Sequence, residues 1–187
     1  MEKWLYNNIL KIAIVISLPL LLAFCAQKVY GSDENGDRLC LAQNIYFESA
    51  NQPFAGRVAV ANVAVNRSND AQFPSTICDV VYQAKLKENW KGNMVPIRNQ
   101  CQFSWYCDGK KDVVWANYEK TGQVIEGNAR AWKDSIQLAI YITGWGKLVI
   151  NDNTHGAVFY YNHNLVSPYW AGSKEYIGVL GNHTFMK

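Results

Sequence analysis

The sequence predicts a mainly helical α+β fold. An apolar N-terminal segment precedes a single domain, which contains a small β element. Two segments, 39–50 and 127–145, carry apolar residues at the spacing of an amphipathic helix, and a third, 54–67, is apolar on nearly all sides. Near the C-terminus, 158–161 and 179–186 have the pattern of short β strands. With 187 residues, the chain is long enough for one such domain and one additional segment.

The composition is that of a folded domain. Hydrophobic residues make up 49% of the chain, charged residues 18% and aromatic residues 13%, which excludes a disordered chain. The net charge is only +3 and no block of Lys and Arg occurs, so we expect no nucleic-acid partner. The chain has a single long apolar run, which excludes a polytopic membrane protein.

That apolar run, residues 12–26, follows Lys3 and Lys11 and predicts export. It has the length of a long signal-peptide core and is shorter than the roughly 17–25 residues of a membrane-spanning helix. We therefore predict a signal peptide or a retained membrane anchor over 1–31, then a polar linker over 32–38. The expected location is the periplasm, the cell envelope or the exterior. If the segment is not cleaved, it anchors the protein to the inner membrane and is its only membrane contact.

The first helix of the domain carries an acidic residue on its apolar face. Leu41, Ile45 and Glu48 align, because residues at i, i+4 and i+7 lie on one side of a helix. Pro53 is expected to end this helix.

The second helix, 54–67, is expected in the middle of the core because nearly all its residues are apolar. A third helix is predicted over 77–84, with Ser75 or Thr76 as its N-cap. The segment 85–111 is rich in Gly, Asn and aromatic residues and is predicted to be a loop.

The last helix, 127–145, is amphipathic, and Gly144 and Gly146 are stop signals for it. The two β segments of the tail follow.

The cysteines of the exported body predict two disulfides. Cys40, Cys78, Cys101 and Cys107 are an even number in an exported chain. Of the three possible pairings we favour Cys101–Cys107, which closes a short loop, with Cys40–Cys78 as the second. Neither a Cys-x-x-Cys spacing nor a His-Glu-x-x-His helix is present, so we expect no metal and no cofactor.

Glu48 is the strongest candidate for catalysis. A carboxyl group among apolar neighbours is desolvated, which raises its pKa and lets it donate a proton near neutral pH. The alternative is an ordinary Glu at a helix end facing water. The other carboxylates are scattered and form no pair by spacing, which favours a mechanism with a single acid over one with two carboxylates.

Two aromatic segments are typical of a saccharide site. The loop 101–109 offers flat aromatic faces together with Gln and Ser hydrogen-bonding groups, and 156–163 could line a cleft. The alternatives are a satellite hydrophobic cluster for the loop and a plain buried strand for the second segment. The three histidines, His155, His163 and His183, are more often structural than catalytic.

Five blocks, in their order and spacing, resemble the SleB-type cell-wall hydrolases, a family that includes spore cortex-lytic enzymes. The resemblance covers about residues 39–186. Its blocks are Cys40–Glu48, Gly56–Arg67 after Pro53, Phe73–Gln83, Cys101–Trp105 and Ile177–Phe185.

The resemblance implies a goose-lysozyme-like fold and a lytic transglycosylase reaction on the glycan strands of peptidoglycan. Glu48 matches the catalytic Glu of the family, which protonates the glycosidic oxygen and then helps the muramyl 6-hydroxyl attack C1 of the same sugar. The residues that the resemblance implies in substrate binding are Ser49, Gln102, Phe103, Ser104, Tyr160, Tyr161 and Asn162.

Three alternatives stay open at this point. The protein could be a muramidase that uses water, a catalytically silent peptidoglycan-binding module, or a cysteine peptidase with Cys40 or Cys101 and His163. The sequence also departs from the family pattern. Gln52 replaces an acid, Asn51 replaces a Gly, and His155 stands where a Gly is common.

Overall fold

The computed structural model describes residues 34–114, 126–144 and 150–187. The chain divides into two units, 1–33 and 34–187, and only the second is described here. The predicted export segment, 1–31, lies outside the described residues and stays a prediction. The first helix begins at Glu34, inside the segment 32–38 that we expected to be a linker. Among the described helices, none is both long and apolar enough to cross a membrane.

Four helices form most of the body: α1 (Glu34–Ser49), α2 (Phe54–Ser68), α3 (Ile77–Val81) and α4 (Glu126–Thr143). Helix α1 contacts the other three. The three longer helices, α1, α2 and α4, confirm the helices that were predicted from the pattern of apolar residues.

Two local signals decide where α2 and α3 begin. Pro53 is the N-cap residue of α2. Thr76 caps α3, and its side-chain oxygen accepts a hydrogen bond from the Asp79 backbone N–H at 3.1 Å. Helix α3 ends three residues earlier than predicted, because Ala84 already belongs to a strand.

Helix α2 lies at the centre of the core, as its composition predicted. Its middle residues, Ala59–Ala64, are buried, and most are fully inaccessible. One side of α2 packs in an apolar cluster with α1 and α4, and the other packs against Ala157 and Phe185 of the C-terminal part. A helix covered on both sides needs apolar residues all round.

The prediction of a loop over 85–111 is wrong for its first half, which forms a β hairpin. Strands β1 (Ala84–Glu88) and β2 (Met94–Cys101) pair as an antiparallel hairpin, and a short 3₁₀ turn, Ser104–Cys107, follows. None of the residues of the two strands is buried, so the strands lack the buried apolar face that makes a strand recognisable in a sequence.

The tail forms a three-stranded antiparallel sheet, which confirms the predicted β element. It consists of β3 (Phe159–Asn162), β4 (Tyr176–Leu180) and β5 (His183–Met186), in the order β3-β5-β4. Tyr160 of β3 pairs with Phe185 of the central strand. The sheet thereby brings its first strand beside α2.

Both favoured disulfides are present. Cys40–Cys78 joins α1 to α3, with 5.2 Å between the Cα atoms, and Cys101–Cys107 joins the end of β2 to the 3₁₀ turn, with 6.1 Å. Neither Cys40 nor Cys101 is therefore a free thiol. Because a cysteine nucleophile must be a thiolate, the cysteine-peptidase alternative is wrong.

Candidate active site

Glu48 lies in the last turn of α1 at the wall of a cleft of about 480 Å³. Ile45 and Leu41, one and two turns earlier on the same face, are fully buried. The end of this face therefore reaches the cleft while its beginning anchors the helix in the core. The other walls come from four parts of the chain. They are the end of α2 (Arg67), the segment after β2 (Gln102, Ser104, Trp105, Asp108, Lys110), β3 and the loop after it (Tyr160, Tyr161, Asn162, Leu165), and the start of β5 (His183).

The surroundings of Glu48 favour its protonated form. Burial raises the pKa of Glu48 above its ordinary value. The Tyr160 hydroxyl donates a hydrogen bond to Glu48 Oε2 at 3.0 Å, and this bond and the positive charge of Arg67 lower the pKa by a smaller amount. The result is a carboxyl group whose protonated form is favoured by burial and whose ionised form has a donor in the Tyr160 hydroxyl.

Arg67 is a buried cation in the wall of the cleft. Its Nε donates to the Val158 carbonyl at 2.7 Å, and its guanidinium lies over the rings of Phe73 and Phe103, 5.4 and 5.2 Å from their centroids. Burial lowers the pKa of Arg67 to about 10, so it stays charged at neutral pH. With its amide oxygen turned to the guanidinium, Gln102 accepts from both Nη atoms at 3.1 Å. Arg67 thus fixes the orientation of Gln102 at the cleft.

Tyr160 is held in place by its ring neighbours. Its ring lies 5.1 Å from that of His183 and 5.7 Å from that of Phe185, between centroids. Burial and the nearby Glu48 raise the pKa of Tyr160 well above its ordinary value. The hydroxyl therefore keeps its proton and remains a donor to Glu48.

The surroundings of the neighbouring histidine, His183, favour its neutral form. Burial, and to a smaller extent the charge of His163, lowers the pKa of His183. Its Nδ1 is buried and has no hydrogen-bond partner among the described residues. His183 lines the cleft, although no sequence pattern distinguished it from the other two histidines.

A stacked aromatic pair closes the cleft beside Glu48. The rings of Phe47 and Trp105 lie 4.7 Å apart at an interplanar angle of 22°. The indole N–H of Trp105 donates to Asn44 Oδ1 at 3.0 Å, one turn before Glu48 on α1. This bond ties the disulfide-closed loop to the helix that carries the acid.

The cleft contains five of the seven side chains expected to bind substrate: Gln102, Ser104, Tyr160, Tyr161 and Asn162. The other two lie elsewhere. Ser49 is fully buried and its hydroxyl donates to the Ile45 carbonyl at 2.9 Å, so it faces the helix interior. Phe103 is 2% exposed and packs under Arg67. Neither side chain lines the cleft, since a motif gives sequence order but not which side chains point inward.

The arrangement matches a known family of enzymes. The model of the family described as Cell Wall Hydrolase matches residues 51–186, a range that begins just after Glu48. The chain belongs to this family. Membership confirms the SleB-type resemblance and indicates an extracellular or cell-envelope location.

Its relatives include spore cortex-lytic enzymes. The chain is 27% identical over 157 residues to that of Oceanobacillus iheyensis, covering 84% of this chain and 43% of the relative. It is 24% identical over 160 residues to that of Bacillus subtilis, covering 86% and 40%. The chain thus spans less than half the length of these curated relatives.

A solved structure shares the fold. The catalytic domain of the germination-specific lytic transglycosylase SleB from Bacillus anthracis is 25% identical to this chain, with a TM-score of 0.50. The match covers 84% of this chain and 98% of that domain. The predicted α+β class is confirmed.

Gln52, where the sequence departs from the family pattern, does not line the cleft. Gln52 is 7% exposed, its Oε1 accepts from the Asn182 backbone N–H at 2.9 Å, and its Nε2 donates to Asn51 Oδ1 at 3.1 Å. A Cβ on Gly181, where φ is +61°, would meet Gln52 Oε1 at 2.5 Å. The side chain therefore binds the turn between β4 and β5, and the amide oxygen performs there what a carboxylate oxygen could.

One further carboxylate lines the same cleft. Asp108 accepts from the Lys110 backbone N–H at 2.8 Å, and Lys110 Nζ lies 3.2 Å from its other oxygen. These contacts with Lys110 lower the pKa of Asp108, so it stays ionised. Spacing in the sequence did not predict that Asp108 and Glu48 line one cleft.

Proposed function

We propose that this cell wall hydrolase is a lytic transglycosylase that cleaves peptidoglycan between N-acetylmuramic acid and N-acetylglucosamine, with Glu48 as both acid and base. The observation that carries the proposal is the environment of Glu48. A desolvated carboxyl group lies in a saccharide-sized cleft with the Tyr160 hydroxyl donating to it. The two steps of the reaction need this group first protonated and then ionised.

In the first step Glu48 gives its proton to the glycosidic oxygen. The bond between that oxygen and C1 of the muramyl sugar breaks, and the electron pair leaves with the oxygen. Positive charge develops on C1, and Glu48 becomes a carboxylate. The Tyr160 hydroxyl and the positive charge of Arg67 stabilise that carboxylate.

In the second step the carboxylate takes the proton of the muramyl 6-hydroxyl. The oxygen of that hydroxyl bonds to C1 and forms a 1,6-anhydro end. Glu48 is protonated again, so the cycle closes without water and without a second carboxylate. The aromatic pair Phe47 and Trp105 offers an apolar wall beside Glu48 that excludes water from C1.

Polar side chains on both sides of Glu48 would hold the sugars. Gln102 uses its amide oxygen on Arg67, which leaves its N–H₂ group to donate to the substrate. Ser104, Tyr161 and Asn162 line the same cleft. Sugar rings have polar edges and apolar faces, and this cleft offers partners for both.

Export through residues 1–31 is part of the proposal. The segment is either cleaved as a signal peptide or retained as an inner-membrane anchor, and the Lys-flanked apolar run supports both. A reporter enzyme fused after Gly31 is expected outside the cytoplasm. A reporter that stays in the cytoplasm contradicts export.

A second candidate is a hydrolytic muramidase, and Asp108 is the observation that favours it. An ionised carboxylate in the same cleft as Glu48 could activate water, as in glycosidases with two carboxylates. Asp108→Asn distinguishes the two mechanisms. A transglycosylase keeps its rate within a few-fold, whereas a hydrolase that uses Asp108 loses at least about a hundredfold.

Mass spectrometry of the fragments released from purified cell walls tests the proposed function. Transglycosylation gives muramyl ends that are lighter by one water than the ends from hydrolysis. Glu48→Gln is the matched inactive control. Binding to cell walls without release of fragments by the parent protein favours the silent binding module.

A further inference from the structure

The hairpin of β1 and β2 lies outside the core of the domain. None of its strand residues is buried, and apart from the pairing of its own strands its main described contact is with the 3₁₀ turn Ser104–Cys107. Neither apolar cluster of the described core includes a residue of 84–101. A two-stranded hairpin on its own is at best marginally stable in water. The hairpin therefore contributes an exposed surface to the molecule rather than packing.

This surface carries the positive charge of the chain. In the segment 84–101 the four cations Lys85, Lys87, Lys91 and Arg98 are all exposed, and Glu88 is the single acid. Their net charge of +3 equals that of the whole chain, so cations and acids balance in the rest of the sequence. A concentration of one sign of charge on an exposed element attracts a partner of the opposite sign.

The tip of the hairpin presents an aromatic side chain together with a cation. Trp90 is 88% exposed, and Lys91 Nζ lies 4.7 Å from the centroid of its ring. Leu86 and Met94 are exposed as well, and they lie on the same face of the hairpin. Trp beside Lys is typical of a membrane interface, where the indole ring lies at the level of the head groups.

The backbone of the tip is satisfied internally. Asn89 Oδ1 accepts from the N–H groups of Lys91 and Asn93 at 2.9 and 3.0 Å. The Asn89 carbonyl accepts from the Gly92 N–H at 3.0 Å, and the Asn89 N–H donates to the Asn93 carbonyl at 2.9 Å. Unpaired backbone groups are costly next to lipid. The tip is therefore fixed before binding and suited to contact a bilayer at low cost.

We propose that the β1–β2 hairpin docks the protein on an anionic lipid bilayer, with Trp90 at the level of the head groups and the lysines on the lipid phosphates. None of the described residues that line the catalytic cleft belongs to 84–101, so the inference does not depend on the proposed reaction. It adds a second membrane contact to the one expected from residues 1–31. This contact would hold the enzyme near the membrane after cleavage of that segment.

Two features favour a bilayer over an anionic polymer of the cell wall. At 88% exposure, Trp90 has no second wall among the described residues that could enclose a polymer against its ring. The N–H groups of Lys91, Gly92 and Asn93, which could bind a phosphate, are already used within the turn. A bilayer needs neither feature, because it surrounds the ring and attracts the lysines at its surface.

Co-sedimentation with vesicles tests the proposal. Residues 32–187 are used, because the apolar segment 1–31 could enter vesicles by itself. Residues 34–187 form a unit of their own, and a solved catalytic domain that matches over 98% of its length exists as a separate chain. A cooperative thermal unfolding transition checks the folding of each variant. We expect binding to vesicles of phosphatidylglycerol and phosphatidylcholine in equal parts, and weaker binding as the salt concentration rises.

Matched variants identify the residues that bind. Trp90→Ala should lower the affinity for these vesicles about tenfold, whereas Tyr169→Ala, which removes an exposed ring outside the hairpin, should not change it. Lys87→Gln and Lys91→Gln should each lower the affinity about fivefold. Their control is Lys133→Gln, at an exposed position of α4. Equal affinities of Trp90→Ala and the parent, or equal losses for Trp90→Ala and Tyr169→Ala, overturn the proposal.

Two further measurements complete the test. The parent should bind vesicles of phosphatidylcholine alone more weakly, and equal binding to neutral and anionic vesicles overturns the proposal. Trp90→Ala should release fragments from soluble pieces of cell wall at the parent rate, because the hairpin tip is not part of the catalytic cleft. A loss of this activity, or a loss of retention on purified cell walls with unchanged vesicle binding, overturns the proposal in favour of a wall polymer.

Discussion

The Tyr160 hydroxyl donates a hydrogen bond to Glu48 Oε2 at 3.0 Å, across 112 positions of the sequence. This bond joins the end of the first helix to the first strand of the C-terminal sheet. It stabilises the ionised form of Glu48, while burial stabilises the protonated form. The two opposed effects keep the proton of Glu48 available for both directions of transfer.

Glu48→Gln is expected to remove turnover and keep the fold. Gln has nearly the shape of Glu and can still accept from Tyr160, but it has no transferable proton. Because the acid and the base roles are both lost, the rate of fragment release should fall by about 10²–10⁴-fold. The thermal midpoint should change little.

The matched control for this substitution is Asp134→Asn, which removes a carboxylate on α4 that pairs with Arg57 at 3.4 Å. Fragment release by Asp134→Asn should stay near the parent rate. A Glu48→Gln protein that releases fragments within a few-fold of the parent would falsify the catalytic assignment.

Tyr160→Phe should shift the pH dependence of kcat. The hydroxyl stabilises the carboxylate form, so its removal raises the pKa of Glu48. Activity needs protonated Glu48 in the first step, and the alkaline limb of the profile therefore moves to higher pH. The rate falls about tenfold at its optimum because the carboxylate loses a charge-assisted hydrogen bond. An alkaline limb that stays in place, or moves to lower pH, contradicts this role.

Asp152→Asn should lower stability and leave catalysis nearly intact. Asp152 accepts hydrogen bonds from the Thr154 N–H and hydroxyl at 2.8 and 2.6 Å, the Gly156 N–H at 2.7 Å and Asn66 Nδ2 at 3.0 Å. Burial alone would raise the pKa of Asp152, but these bonds lower it below its ordinary value. The amide makes weaker bonds, at a cost of about 1–3 kcal/mol in the free energy of unfolding.

The same lowered pKa gives a pH signature. The stability contributed by Asp152 is fully present above the pKa of an unfolded Asp, about 4. It is lost as the pH falls through the lower pKa of the folded state. Urea unfolding at neutral pH and near pH 3 measures this, and the gap between parent and Asp152→Asn should narrow at the lower pH. A constant gap contradicts the assignment.

His155→Gly should raise stability. His155 has a φ of +50°, in the left-handed region that costs a residue with a Cβ roughly 1–2 kcal/mol. The greater freedom of Gly in the unfolded chain offsets part of this gain, so the expected increase is about 0.5–1 kcal/mol. The control is Asn151→Gly at an exposed position with ordinary φ, which should lower stability. A decrease for both variants contradicts the strain at His155.

Local patterns predicted the parts of the molecule that are determined locally. The spacing of Leu41, Ile45 and Glu48 defined a helical face, and the structure buries the first two fully. The apolar composition of 54–67 predicted a helix covered on both sides. The even number of cysteines and the expectation of export were enough to favour the two disulfides that are present.

Residues whose role depends on distant partners were not predictable in this way. Arg67 is the one cation among the buried residues of α2, and a charge in an apolar helix is a signal that could have marked it. Its partners, Gln102 and Val158, come from other parts of the chain. The inward direction of Ser49 depends on which side of α1 the core covers, which a linear motif does not contain.

The short loop closed by Cys101 and Cys107 has a consequence for when the protein becomes active. Gln102, Ser104 and Trp105 of the cleft wall all lie inside this loop. Without the cross-link the loop regains conformational entropy worth about 2 kcal/mol, and the wall loses its fixed shape. In the cytoplasm, thiols are kept reduced, so this disulfide would not form there. The wall of the cleft would therefore be completed only in an oxidising compartment, so that maturation of the site is coupled to delivery of the protein to its substrate.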